Sequence, residues 1–127
     1  MADDRPGMLP RGPMGVLRAA RWSWQGLCAA WRHESSFRLE VCLLPVLGGL
    51  GLWLGQDAVE RVLLVGCLLP VLAMELANSA VEALIERYGP QWHPLAGRAK
   101  DMGSAAVMLL MLNVVLCWTL VLWPRLD

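Results

Sequence analysis

The chain has 127 residues, of which 57% are apolar, and its mean hydropathy is +0.47. This composition excludes an ordinary soluble globular protein and leaves room for one domain at most. The formal net charge is zero, so the total charge indicates no partner, and we expect no binding to nucleic acid.

The N-terminal part of the chain is expected to comprise a disordered tail and a surface helix. Residues 1–12 are rich in Gly and Pro and form the tail. In residues 14–33 an apolar stripe recurs every three or four positions, with basic residues on the other faces. The stripe consists of Leu17, Ala20, Trp24, Leu27 and Trp31. Such a basic amphipathic helix is typical of the membrane interface, and the alternative is that its stripe packs on the membrane spans.

Three later segments are apolar enough to cross a bilayer, which takes roughly 20 residues. The helices that contain them are expected to cover about residues 37–55, 59–87 and 100–123. The first is the least regular, because it carries Pro45 and several glycines. We therefore predict an all-α membrane protein with one surface helix and three transmembrane helices, forming a single domain over residues 13–127.

Basic residues are distributed unevenly about these spans. Counted against the apolar runs of these helices, at about residues 41–55, 59–77 and 104–123, six arginines precede the first run. Arg87, Arg98 and Lys100 lie between the second run and the third. Arg61 and Arg125 are the basic residues expected on the opposite side of the membrane. Because loops rich in Lys and Arg stay in the cytoplasm, the N-terminus and the second loop are expected there.

The end of the second span carries an unusual set of polar side chains. Glu75, Asn78, Glu82 and Glu86 lie at i, i+3, i+7 and i+11, so a helix places them on one stripe. Carboxylates are costly to keep at a membrane boundary, which marks these residues as functional candidates. Glu75 follows the apolar run directly, and a partly desolvated carboxylate is a suitable general base. The alternative is a carboxylate that reaches the headgroups or ties helices together.

Several other polar residues have two interpretations each. Glu34 and Glu82 offer oxygen ligands that suit magnesium, although their spacing alone does not bring them together. Asn78 either orients the candidate base or packs one helix on another. Lys100 either neutralises phosphate or anchors the cytoplasmic end of a span, and His93 is more typical of a loop. The sequence lacks a phosphate-binding loop signature, so a nucleotide would be bound by helix side chains and a short loop.

Three segments of the chain resemble the bacterial integral-membrane diacylglycerol kinases. They are WSWQGLCAAWRHESSFRLE, MELANSAVEALIER and GRAKDMGSAAV, and the resemblance covers residues 16–123. It implies a homotrimer in the bacterial inner membrane, with a periplasmic C-terminus and cytoplasmic active sites shared between subunits. It also implies transfer of the γ-phosphate of MgATP to the primary hydroxyl of diacylglycerol, which gives phosphatidic acid and ADP for phospholipid recycling.

The resemblance also implies a role for each matching residue. Glu75 would be the general base with Asn78 in the same site, and Glu34 and Glu82 would hold magnesium. The implied ATP contacts are Trp22, Glu34, Glu82, Glu86, Gln91, Trp92, His93, Lys100 and Asp101. The implied lipid contacts are Ser23, Trp24, Phe37, Arg38, Glu40, Glu75 and Ser104.

The chain departs from the family pattern at three positions. Trp22 replaces a tyrosine, and its indole can still stack on an adenine ring. Gly15 stands where an arginine is usual, and Arg11 and Arg18 are the candidate substitutes for that arginine. Glu86 replaces an aspartate, which keeps the charge but lengthens its reach.

Two other functions are consistent with parts of this pattern. An undecaprenol kinase is a close relative with the same carboxylates, so only an assay with each lipid separates the two. A small multidrug transporter also uses a membrane glutamate, but it would need that residue deep in a span and an even number of helices. A structural or regulatory membrane subunit would leave the aligned carboxylates unexplained.

Overall fold

The computed structural model describes residues 12–125, and this part of the chain is helical apart from short connections. The helices are α1 (Pro13–His33), α2 (Ser35–Leu54), α3 (Ala58–Gly66), α4 (Leu68–Arg87) and α5 (Pro94–Leu122), followed by a 3₁₀ turn at Trp123–Arg125. The all-α prediction is confirmed. So is the prediction of three spans, since Ser35–Leu54, Ala58–Arg87 and Pro94–Leu122 are long and apolar enough to cross a membrane. Most of the expected disordered tail, including Arg11, lies outside the described residues.

A sharp corner joins the surface helix α1 to the first span. Glu34 adopts an extended backbone with φ −109° and ψ 112°, which ends α1 and begins α2. The Arg38 guanidinium donates hydrogen bonds to the carbonyls of Trp31 at 3.0 Å and Arg32 at 3.3 Å. These bonds satisfy last-turn carbonyls that have no partner within the helix. The corner therefore holds Glu34 at a fixed place between the two helices.

The apolar stripe of α1 stays uncovered within this chain. Trp24 is 67% exposed and Trp31 is 45% exposed, whereas Ala30, on another face, is buried. The helix contacts α2 and α4, and Leu27, at the edge of the stripe, lines the cavity next to α4. An uncovered face with two tryptophans favours the interfacial position of α1 over packing of the stripe on the spans.

The second span is interrupted at Cys67, where α3 ends and α4 begins. Pro70 has no backbone N–H, so the carbonyl of Gly66 loses its helical partner. The indole N–H of Trp118 in α5 donates a hydrogen bond to the carbonyl of Leu64 at 3.0 Å, beside the interruption. Leu64 is completely buried. The apolar pattern of residues 59–87 predicts one continuous helix, so the break is a difference from that prediction.

The hydrogen bond from Trp118 should stabilise the junction of α3, α4 and α5. Trp118→Phe keeps an aromatic ring but removes the N–H, so we expect the free energy of unfolding to fall by about 1 kcal/mol. Unfolding in mixed micelles with increasing SDS measures this change. Trp53→Phe is the control, because Trp53 is 78% exposed. Equal stability of the two variants would contradict the assignment.

The third span begins well before the expected residue 100. His93 precedes α5, and its Nδ1 accepts a hydrogen bond from the backbone N–H of Leu95 at 3.2 Å. Pro94 occupies the first helical position, where its missing N–H costs nothing. Arg98, Lys100 and Asp101 therefore lie on the first turns of α5. The expected start at about residue 100 is too late, because the helix extends beyond its apolar part.

Candidate active site

The polar stripe of α4 becomes more exposed towards the end of the helix. Glu75 is only 8% exposed and is the one buried charged residue among those the structure describes. Asn78 and Glu82 are partly buried, and Glu86 is exposed. A helix that leaves an apolar layer exposes successive turns in this order. The arrangement therefore suits a base on Glu75 and hydrated ligands further along the stripe.

Two other carboxylates converge on Glu75 from different parts of the fold. Glu34, at the corner between α1 and α2, and Glu82, two turns along α4, both lie close enough to interact with Glu75 electrostatically. Ser36 also lies beside Glu75. Glu34 and Glu82 line the same cavity of about 680 Å³ between α1 and α4. The tertiary structure thus brings together the two carboxylates that spacing alone could not join.

The helix α5 contributes a positive charge to this group. The Nζ atom of Lys100 lies 3.6 Å from Oε1 of Glu82, and the two side chains are 44% and 31% exposed. An ion pair this exposed adds roughly 0–1 kcal/mol to stability. Lys100 therefore matters for where its charge lies, beside Glu82, rather than for holding the helices together.

Asn78 of α4 lies against Gly103 of α5. Its Oδ1 atom is buried and has no hydrogen-bond partner among the described residues. A Cβ atom added at Gly103 would overlap this Oδ1 atom. Because an unpaired buried acceptor is costly, its presence at the candidate site is consistent with a role towards a ligand. Gly103 is required for this approach of the two helices.

A methyl group at Gly103 should displace Asn78 and disturb the site. We expect Gly103→Ala to lower turnover by on the order of tenfold or more, since small misplacements of reacting groups are costly. Gly49→Ala is the matched control, because a Cβ atom there has no neighbour within 4 Å. The measurement is the initial rate of the phosphate transfer that the resemblance implies, in mixed micelles, for each variant. Equal rates for Gly103→Ala and Gly49→Ala would show that the contact with Asn78 is unimportant.

The expected lipid contacts differ in whether their polar atoms already have hydrogen-bond partners within the chain. Both carboxylate oxygens of Glu40 are buried without a hydrogen-bond partner, and Glu40 interacts electrostatically with Glu75. The Arg38 guanidinium already donates hydrogen bonds to backbone carbonyls at the end of α1, as described above. The Ser23 hydroxyl donates a hydrogen bond to the backbone carbonyl of Ala19 at 3.0 Å. Phe37 is buried, with 3% exposure. Glu40 is therefore the lipid candidate whose polar atoms remain available near Glu75.

Several expected contacts are not gathered around the carboxylates within this chain. These residues are exposed and do not line the cavity of Glu34: Trp22, Trp24, Gln91, Trp92, Asp101 and Ser104. His93 is also exposed, and its Nδ1 atom already accepts the bond that begins α5. A single chain thus assembles the carboxylate group and Lys100, but not the aromatic and loop contacts expected for a nucleotide.

Small residues form much of the cavity wall, and the sequence analysis did not identify them. They are Gly26, Ala29 and Ala30 on α1, with Ala80 and Ala83 on α4. Their spacings of three and four place them on one face of each helix, which was the available signal. Small side chains here leave room for a ligand, and the cavity volume lies in the range of about 300–1,000 Å³ that is usual for small-molecule sites.

The carboxylates fit a magnesium ion that is bound together with phosphate. Among the residues that the structure describes, no cluster of three or more His, Cys, Asp or Glu forms a complete metal site. Magnesium usually takes one or two protein carboxylates and completes its shell with water and substrate phosphates. Glu34 and Glu82 on one cavity supply the two carboxylates that such an ion needs.

Comparison with known proteins identifies the family of this chain. Residues 21–122 match the family model described as prokaryotic diacylglycerol kinase. The chain is 44% identical over 110 residues to a diacylglycerol kinase of Escherichia coli K12, covering 87% of this chain and 90% of the relative. It is 40% identical over 103 residues to that of Haemophilus influenzae, covering 81% and 87%. For Helicobacter pylori 26695 the identity is 37% over 126 residues, covering 98% and 94%. The chain belongs to the prokaryotic diacylglycerol kinase family.

Proposed function

We propose that this chain is a diacylglycerol kinase. It transfers the γ-phosphate of MgATP to the primary hydroxyl of 1,2-diacylglycerol, and the products, phosphatidic acid and ADP, serve phospholipid recycling. The observation that carries this proposal is the convergence of Glu34 and Glu82 on the buried Glu75, at one end of the membrane helices. The shared name of the relatives supports diacylglycerol as the lipid.

Glu75 acts as the general base in this proposal. Its carboxylate accepts the proton of the lipid hydroxyl while that oxygen attacks the γ-phosphorus in line. The bond between the γ-phosphorus and the bridging oxygen breaks, and ADP leaves with the electron pair. Transfer is direct from ATP to the lipid hydroxyl, without a phosphoenzyme. Asn78 orients the reacting groups from the next turn of α4.

Glu34 and Glu82 would bind the metal of MgATP, and Lys100 lies beside Glu82. A bound magnesium ion offsets negative charge on the terminal phosphates. The ammonium group of Lys100 stabilises charge on the transferred phosphoryl group. Trp22 stacks on the adenine ring, and Glu86, Gln91, Trp92, His93 and Asp101 complete the nucleotide contacts.

We further propose a homotrimer in the bacterial inner membrane, with active sites shared between subunits. Few residues of the first and third spans are buried inside one chain, so these helices have apolar surface available for lipid and for other copies. A neighbouring copy would also bring the exposed Trp22 and Trp92 towards a nucleotide. The positive-inside distribution supports a cytoplasmic N-terminus and active site, with the C-terminus in the periplasm.

Two alternatives explain less of the site. An undecaprenol kinase could use the same carboxylates, but the relatives compared above are named for diacylglycerol. A small multidrug transporter would need its glutamate near the middle of a span, whereas Glu75 lies near the end of the apolar part of α4. Transport also gives no role to Glu34 and Glu82 on one cavity, or to Lys100 beside Glu82.

Phosphate transfer in vesicles tests the proposed function. Purified protein is mixed with ATP labelled at the γ-phosphate and with vesicles that contain either diacylglycerol or undecaprenol. We expect labelled phosphatidic acid as the main product, and formation only in the presence of magnesium. Faster labelling of undecaprenol would assign the alternative lipid, and absence of label from both lipids would overturn the kinase proposal.

A further inference from the structure

Two cysteines meet where the second span is interrupted. Cys67 separates α3 from α4 and is 7% exposed, and Cys117 lies in α5, far along the sequence. The thiol of Cys67 interacts with the thiol of Cys117. The other two cysteines, Cys28 and Cys42, lie in α1 and α2. The packing of the second span on the third therefore produces a dithiol that the spacing of the cysteines does not predict.

The backbone around the interruption fixes the position of this pair. The carbonyl of Leu64 accepts two hydrogen bonds, from the Cys67 thiol at 3.4 Å and from the indole N–H of Trp118 at 3.0 Å. Trp118 follows Cys117 directly in α5, so the bond that holds its indole also holds Cys117 near Cys67. Leu64 is completely buried, so this junction lies inside the bundle. The two thiols are thus placed by helix packing and not by the free rotation of surface side chains.

A disulfide needs two cysteines whose side chains already face each other. The Cβ atoms of a disulfide lie only about 3.5–4.5 Å apart, so cysteines that point apart cannot be bridged without backbone movement. Interacting thiols on two packed helices favour such a bond. Oxidation would remove the S–H donor of Cys67, but the carbonyl of Leu64 would keep the bond from Trp118. The disulfide therefore forms without leaving this buried carbonyl unpaired.

The pair lies within the apolar layer and away from the candidate active site. Glu75 lies about 12 Å from Cys67 along α4, at a rise of about 1.5 Å per residue. Cys117 lies about 8 Å before the end of α5 at Leu122. Charged reductants dissolved in water enter hydrocarbon poorly, because charge is costly there. The apolar layer therefore protects a disulfide at this depth from reduction by charged thiols.

We propose that Cys67 and Cys117 form a disulfide within one chain under aerobic conditions. Each thiol gives up one electron and one proton as the bond between the two sulfur atoms forms. The co-reactant is dioxygen, an apolar molecule that dissolves in hydrocarbon, and it takes up both electrons and both protons to become hydrogen peroxide. This inference is independent of the proposed function, because neither cysteine belongs to the kinase mechanism.

The disulfide would close a loop that contains most of the candidate active site. Residues 67–117 include Glu75 and Glu82 on α4 and Lys100 on α5. A cross-link stabilises a fold mainly by restricting the unfolded chain, and the effect grows with the length of the closed loop. The bond lies at the end of α4 that is away from Glu75, so it holds α4 against α5 without changing the site. We therefore expect oxidation to raise stability and to leave turnover unchanged.

Oxidation of the purified protein in detergent micelles tests the proposal. The protein carries Cys28→Ser and Cys42→Ser, so that Cys67 and Cys117 are its only thiols, and it is exposed to air with a copper–phenanthroline catalyst. We expect the mass of the chain to fall by two hydrogen atoms, and both thiols to stop reacting with a maleimide after denaturation in SDS. Retention of both thiols would overturn the proposal, and so would a bond between two chains in place of the internal one.

A displaced thiol is the matched control. In the same background, Cys117→Ser together with Thr119→Cys keeps two thiols on the same two spans but moves one of them to an exposed position of α5. Two residues along a helix turn the side chain by roughly 200°, so the new thiol points away from Cys67. We expect this variant to form no internal bond. Equal internal bonding in both proteins would show that chain flexibility joins the thiols, and would overturn the assigned site.

Digestion with trypsin locates the bond in the chain. Trypsin cuts after Lys and Arg, so Cys67 falls in the fragment of residues 62–87 and Cys117 in the fragment of residues 101–125. In the oxidised protein these two fragments should stay joined until dithiothreitol is added. Fragments that separate without a reductant would contradict the inference.

Thermal unfolding shows what the bond does. The midpoint for the oxidised protein in micelles should be about 10 °C higher than for the same protein after reduction. The rate of phosphate transfer should be equal in the two forms. Equal midpoints would overturn the stabilising role of the bond. A loss of activity on oxidation that dithiothreitol reverses would contradict its position outside the candidate active site.

Discussion

Replacing Glu75 by glutamine should lower the rate of phosphatidic acid formation by on the order of a hundredfold, or about 3 kcal/mol in barrier. The carboxamide has nearly the same shape but cannot accept the hydroxyl proton. The buried position of Glu75 makes the prediction specific, because water does not easily replace its carboxylate there. Initial rates with γ-labelled ATP measure the loss, with the variant purified free of wild type.

Glu60→Gln is the matched control for this substitution. Glu60 belongs to α3, near the start of the same span, and is far from the carboxylate group along the helix axis. Its side-chain oxygen accepts a hydrogen bond from the backbone N–H of Gln56 at 2.7 Å, which glutamine can also accept. We expect near-normal activity from this control. Comparable rates for the Glu75 and Glu60 variants would remove the general base from the mechanism.

Replacing Glu34 or Glu82 by glutamine should change the magnesium requirement as well as the rate. Each variant loses one of the two carboxylates on the cavity, so we expect turnover to fall by on the order of tenfold to a hundredfold. The magnesium concentration for half-maximal rate should rise in both variants. Titration of magnesium at fixed ATP measures this shift, and Glu60→Gln should leave it unchanged.

The two variants also separate metal binding from the ion pair with Lys100. Glu82→Gln removes both, whereas Glu34→Gln leaves the pair at 3.6 Å intact. Loss of an exposed ion pair alone costs roughly 0–1 kcal/mol. If only Glu82→Gln reduced activity, with the magnesium requirement unchanged, Glu82 would act through Lys100 and not as a metal ligand.

The sequence predicted the features that depend on composition and helical period. Long apolar runs indicated three spans, and the three-span all-helical architecture is confirmed. The spacing from Glu75 to Glu86 placed four polar residues on one stripe, and the exposure of these side chains rises along α4 as expected. The family resemblance, based on three short segments, is also confirmed. All three predictions depend on patterns among residues that are close together in the sequence.

Helix ends and breaks within the spans were harder to predict from the sequence. The interruption at Cys67 does not change the hydropathy of the span, so Pro70 was the only signal for it in the sequence. The hydrogen bond from Trp118 that stabilises this interruption comes from α5, which is distant in the sequence. The start of α5 was placed too late because hydropathy reports the apolar layer rather than the helix. His93 and Pro94, a cap followed by proline at the first helical position, were the local signal for the true start.

The assembly of the site depends on tertiary structure, which spacing does not reveal. Glu34 reaches Glu75 because the corner after α1, held by Arg38, turns the chain back towards α4. The contact of Asn78 with Gly103 likewise requires the packing of α4 on α5. The roles of these residues in catalysis stay predictions until variants are measured.

The central claim is that Glu75 takes part in the chemical step itself. A single-turnover measurement with Glu75→Gln, saturated with MgATP and dioctanoylglycerol, tests it most directly. We expect both substrates to bind with affinities within about twofold of wild type, and label transfer to be slower by on the order of a hundredfold. Transfer at the wild-type rate under saturating conditions would contradict the proposed role of Glu75.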